Sequence, residues 1–416
     1  MSEPQHSLAI NFRHTYGRLV ATLSRRAGVG HLAAIEDAVQ FALMRAFETW
    51  ARPGEEEPHN PFAWLLQVAS NALTGELRTA SRRQRILHQE SQSHEPHTPH
   101  REVRLSGELT DDLLRMLLVC CDSRLPELSQ VVLALKTLCG FDVPAIAQRL
   151  FISDANVYKR LARARERLRT CAPELDALQP QGYAAHVPSV HKVIYHVFTE
   201  GHLSSHPDAA LRIELCDEAL RLGNLLAEHP ASAGPETKAL LALMHLHMAR
   251  LPARQSATGG LLLLEEQDRS QWDMTRVQLG LAWLADSATG DVLSRYHLEA
   301  AIAAEHCLAP TFHATCWERV VGYYVQLEQQ SPAPLHTLNR AVALAEWRGP
   351  EAGLTLLQNL APPSWLKGSY LWALVLADLH MRCGHDAKGQ EYRRAALAGA
   401  PSAEVRGLME RRLSKA

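Results

Sequence analysis

The segment Phe141–Arg169, FDVPAIAQRLFISDANVYKRLARARERLR, leaves little choice of local structure. Pro144 suits the first turn of a helix, where its missing N–H costs nothing. Ile146, Ala147 and Leu150 form a short apolar stripe. Phe151 and Ile152 make a turn, and Ser153 is a good N-cap for a second helix. Val157, Leu161, Ala164 and Leu168 recur at i, i+4, i+7 and i+11, which is one helix face. Ala155, Asn156, Lys159, Ala162 and Arg163 fall on the opposite face. From Ala155 to Arg169 six cations stand against one anion, Glu166, a net of +5. The spacing predicts a helix-turn-helix whose second helix is apolar on one side and cationic and amide-bearing on the other. Such a helix fits the major groove and reads base edges. The plainer alternative is a surface helix solvated by arginines. The tight Ala147 position, the short turn and the one-sided charge together favour the first reading.

Helical patterning extends over nearly the whole chain, and no run of alternating β-branched residues stands out, so the expected class is all-α. Residues 7–50 read as two helices separated near Gly28–Gly30, and 51–61 as a loop. Asn60 and Pro61 look like the N-cap and first position of the next helix. The chain divides into four segments: a helical domain over 1–87, a polar linker over 88–108, the helix-turn-helix domain over 109–172, and a helical tail over 185–416. In the tail, LNRAVALAEWRGPEAGLTLL (338–357) and ALVLADLHMRCGHDAKGQEY (373–392) align at a shift of 35, with Gly349 on Gly384. That period suits tetratricopeptide-like hairpins.

The net charge of −2 hides an asymmetry. Residues 1–170 carry 22 Lys and Arg against 19 Asp and Glu, a net of +3, while the remainder is −5. The basic excess lies with the helix-turn-helix, as a nucleic-acid partner requires. The eight cysteines are scattered without a C-x-x-C, and MSEPQHSLAI is no secretory signal, which implies a reduced, cytoplasmic protein. Cys120 and Cys121 read as small core residues. No apolar run approaches a membrane span, so no membrane partner is expected. His88, His94, His97 and His100 cluster in the linker and His245 and His247 sit two apart, but no metal-ligand spacing occurs. With no nucleophile–base motif either, the sequence implies no catalytic residue, no metal and no cofactor.

With these pieces in order, the chain resembles the extracytoplasmic function (ECF) sigma factors. EDAVQFALMRAFETW (36–50) and FAWLLQVASNALTGELR (62–78) resemble sigma region 2, and residues 113–168 resemble region 4. VHKVIYHVFTEGH (190–202), LCDEALRLGNLL (215–226), LLLLEEQDRSQWD (261–273), LEAAIAAEH (298–306) and LNRAVALAE (338–346) resemble the subgroup with a tetratricopeptide-like extension. The resemblance implies two partners, core RNA polymerase and promoter DNA. It places Asn156, Tyr158, Lys159, Arg160 and Arg163 at the −35 element, and Asn71, Arg78, Arg82 and Arg83 at the −10 element. It places Asp37, Gln40, Phe41 and Arg45 on the polymerase. Three positions depart from the family's pattern: Phe41 and Gly75 where acids are usual, and Ser70 before Asn71 where arginine is usual.

Some readings stay open at this level. Phe41 is either an exposed anchor or a core residue, and Trp64 reads as core rather than a stacking platform. Arg78–Arg85 either grips phosphates or is a solvated helix end. Glu200-Gly201 and QDRSQWD (267–273) either bind a ligand, dock the tail on region 4 or cap helices. An intramolecular contact between the acidic tail and region 4 would regulate initiation. The alternative function is a helix-turn-helix regulator with a repeat-based sensor domain that is not a sigma factor; a region 2 is what such a regulator does not need.

Overall fold

The computed structural model describes residues 3–50, 58–87, 106–150, 152–171, 184–202, 211–230, 232–255, 260–290 and 293–415. Among them there is no strand, only an isolated bridge between Gln255 and Leu261. The all-α expectation therefore holds. Most of the expected linker (88–105), Phe151 of the expected turn and most of the expected break at 171–182 lie outside the described residues, as do His88, His94, His97 and His100. The chain divides into two compact units, Met1–Val193 and Ile194–Ala416.

In the first unit α1 (Glu3–Ala27) ends at Gly28, a one-turn 3-10 segment follows, and α2 (Leu32–Trp50) begins. Leu32, Ile35, Ala38, Val39, Ala42 and Ala46 of α2 are buried at three- and four-residue spacing. The helix α3 (Pro61–Leu87) starts as expected, with the Asn60 side-chain oxygen accepting from the Ala63 N–H at 3.0 Å. Then come α4 (Ser106–Cys120), α5 (Glu127–Thr137), α6 (Val143–Leu150) and α7 (Asp154–Thr170). Cys120 and Cys121 are buried free thiols, and burial pushes both above their usual pKa.

The same unit joins its first three helices to the rest through α1 and α2. Gly17 makes room for the chain after α5: a Cβ there would lie 2.1 Å from the Leu138 carbonyl oxygen. Arg25 pairs with buried Asp112 at 2.5 Å. Glu36, buried on α2, accepts from the Thr137 hydroxyl at 2.6 Å and from Arg165 of α7 at 2.5 Å. Burial pushes its carboxyl above the usual carboxylate range, against the pull of Arg165 and Thr137.

The second unit is a stack of helices. It takes up α8 (Val187–His202) from Ile194 onward, then α9 (Ile213–Glu228) and α10 (Pro235–Met248). Every residue of α10 from Ala239 to Leu246 is buried, because α9, α11 (Met274–Ser287) and α12 (Arg295–Leu308) surround it. After α13 (Trp317–Gln330) come α14 (Pro334–Arg348) with α15 (Pro350–Gln358), one turn of α16 (Ser364–Lys367), and α17 (Tyr370–Arg382) with α18 (Asp386–Ala398). The last helix is α19 (Ala403–Ser414). Gly349 and Gly384 turn the two hairpins at φ 95° and 73°, a region that L side chains rarely adopt. A half-buried network links α14, α17 and α19: Arg382 to Glu346 at 2.7 Å, and Arg412 to Asp378 at 2.9 Å and to Glu346 at 3.2 Å.

Candidate nucleic-acid interface

Ser153 caps α7 as the sequence implies, its hydroxyl accepting from the Asn156 N–H at 3.3 Å. Val157, Leu161, Ala164 and Leu168 are all buried. Each buried leucine contributes about 1.5–3 kcal/mol, so this stripe fixes the rotation of α7 about its axis. Tyr158, Lys159, Ala162 and Arg163 consequently face water, Tyr158 at 63% exposure. Asn156 is half-buried, and half-buried Arg160 donates from Nη1 to Ser129 Oγ at 3.3 Å. The cations of α7 thus divide by use. Arg165 is taken by Glu36 and Arg169 by Glu166 at 2.7 Å. Lys159, Arg163 and Arg167 have no ion-pair partner among the described residues.

On α3, Asn71, Arg78 and Arg82 are exposed at i, i+7 and i+11, one helix face. The Asn71 side-chain oxygen accepts from Gln67 at 2.9 Å. The Arg83 side chain lies outside the described residues. Gly75 shares this face, with nothing within 4 Å of where its Cβ would be. Trp64 is half-buried, its ring 5.3 Å from that of Trp50.

The outer side of α2 carries Asp37, Gln40, Phe41 and Arg45, all exposed. Phe41 is 48% exposed, and it is joined by Met44 at 62% and Phe47 at 51%. Sequence reasoning missed these last two. Their phase against the buried Ala38, Ala42 and Ala46 was the available signal.

Residues 115–168 match the family "Sigma-70, region 4", and residues 12–83 match "Sigma-70 region 2". The chain belongs to the ECF-like sigma factors with a C-terminal extension. The region 2 match decides against a plain helix-turn-helix regulator. Residues 186–288 of the sigma factor's extension match a family of unknown function, DUF6596. A protein of Rhizobium meliloti (strain 1021), described as uncharacterized, is 35% identical over 336 residues, covering 79% of this sigma factor and 78% of the relative. No solved structure matches this chain. Among the described residues, no group of three His, Cys, Asp or Glu side chains is placed to hold a metal ion, and no helix is long and apolar enough to cross a membrane.

Proposed function

We propose that this sigma factor binds core RNA polymerase in the cytoplasm and directs promoter-specific initiation. The observation that carries the reading is the division of labour on α7. Its inward cations are engaged by Glu36 and Ser129, while Lys159 and Arg163 stand exposed one turn apart without an acid. Arginine and lysine presented this way pair with the O6 and N7 acceptors of guanine in the major groove. Lys159 and Arg163 then read the −35 element, with Asn156 and Tyr158 beside them and Arg160 nearer phosphate. Asn71, Arg78, Arg82 and Arg83 grip the −10 strands through charge as the duplex opens. Ser70 and Gly75 imply an unusual −10 preference. Asp37, Gln40, Phe41 and Arg45, with Met44 and Phe47, form the polymerase-docking side of α2, where exposed aromatics supply the apolar anchor.

The extension, residues 185–416, acts as a tetratricopeptide-like regulatory domain. The two hairpins that repeat at 35 residues, each turned on a left-handed glycine, support that reading. Its net charge of −3 complements the +3 of residues 1–170, which favours docking on region 4 to control access to Lys159 and Arg163. Run-off transcription with core polymerase tests both claims. The full chain yields a promoter-specific transcript, and truncation after Gln181 changes its amount at equal protein level. Absence of any transcript and of micromolar binding to core polymerase refutes the sigma role; an unchanged transcript from the truncated chain refutes the regulatory one.

A further inference from the structure

Three helices of the C-terminal unit end in one place. His202, the last residue of α8, stacks edge-on with His247 of α10 at 4.6 Å. The Cys307 thiol of α12 lies 3.6 Å from the Leu246 carbonyl of α10. Into this junction the chain puts three arginines. Arg254 donates to the His202 carbonyl at 2.8 Å. Arg269 donates to the carbonyls of His306 and Ala309, at 2.8 and 2.7 Å, closing the end of α12. Arg250 follows the end of α10 and lies 5.6 Å from the Trp272 ring, over which Arg269 also sits at 4.4 Å.

Capping explains part of this charge and not all of it. A helix C-terminus carries about half a negative charge, so three of them offset about half of the three full positive charges. No carboxylate among the described residues is paired with Arg250, Arg254 or Arg269. Burial lowers the pKa values of Arg250, His247 and His306; neighbouring arginines add to the lowering in each, while the Cys307 thiol acts against it at Arg250. Five buried nitrogens have no hydrogen-bond partner: Arg250 Nε, Arg269 Nη2, His247 Nδ1, His306 Nδ1 and Trp272 Nε1. Buried donors are ordinarily satisfied, and a cluster of unmade bonds around surplus positive charge is what a bound anion relieves. There is also room. Next to the junction, and not lined by Arg250 or Arg269, His306 borders a cavity of about 360 Å³ with Phe312, Trp317, Tyr324, the carboxylates Glu265 and Glu346, and Arg412.

We propose that this junction binds a small oxyanion, the phosphate group of a soluble metabolite, through Arg250 and Arg269, with the cavity beside His306 holding the rest of the ligand. The QDRSQWD segment then has two duties. Asp268 and Asp273 cap the Ser270 and Arg276 N–H groups at 3.0 Å each, and Arg269 and Trp272 build the anion site. The proposal is independent of the sigma reading, since binding is measured on the chain alone.

Inorganic phosphate is titrated calorimetrically into the full chain at fixed ionic strength. One saturable site is expected, weakened at least about tenfold by Arg250→Gln and by Arg269→Gln and unaffected by Arg406→Gln on α19. Should a glutamine variant fail to fold, lysine at the same position keeps the charge but loses the planar fork, and the same weakening is expected. Absence of saturable phosphate binding, equal affinity in the Arg250 and Arg269 variants, or binding of citrate in preference to phosphate overturns the proposal.

Discussion

Arg163 and Arg165 stand two positions apart on α7 and do different things. Arg163 faces water, while Arg165 reaches back to the buried Glu36. The first role was legible in the sequence, because helical phase alone puts Arg163 opposite Val157 and Leu161. The second was not, since 129 residues separate the partners and nothing local marks Glu36 as buried. Arg163→Ala should weaken promoter binding by about 1–3 kcal/mol and relax preference at one base pair of the −35 element. Binding titrations over single-base variants of that element check it; a uniform loss on all of them would reduce Arg163 to a phosphate contact. Phe41 shows the reverse case. Its type suggested either core or surface, and only the small neighbours Ala38 and Ala42, which take the core side, leave it outside.

Helices were the most legible elements, because amphipathic spacing is written locally. The starts of α3 and α7 were readable from Asn60 and Ser153, whose side chains do cap them. The interior of α10 was harder, since a helix buried on every side has no polar face to give it a period. The junction of α8, α10 and α12 was invisible for another reason. Its arginines belong to separate segments and meet only through the stacking of helix ends. A local test sits on α3. Gly75 is exposed mid-helix with open space where its Cβ would be, so Gly75→Ala removes a backbone-entropy cost without a clash. The variant should gain about 1 kcal/mol in urea unfolding of the first unit. A loss of stability would overturn the reading of Gly75 as a backbone-entropy cost with no packing role.

At the scale of the whole molecule, acid should act on the extension through three histidines. Burial, with Arg276 nearby, holds His245 down to about 4; burial, with Arg250 nearby, holds His247 and His306 down to about 3. Each stays neutral in the folded unit, whereas in the unfolded chain it takes a proton near pH 6.5. Their contribution is therefore fully present above that pH and is lost as pH falls toward the folded values, by about 1.4 kcal/mol per histidine per unit. Urea midpoints between pH 7 and 5 should drop accordingly, and His247→Asn should flatten the slope. A midpoint that does not move over this range would show that these rings are hydrated.

The tie at Glu36 has a mechanical meaning. Two promoter elements lie apart along DNA, so a protein that reads both with α3 and α7 must part the helices that Glu36 joins. A buried carboxylate stripped of its partners costs about 3–5 kcal/mol, but one released into water no longer bears that penalty. Resistance is thus steep over the first ångström of separation and gone soon after. The first unit should open by a snap rather than a stretch, with the shut and spread forms populated and little between them.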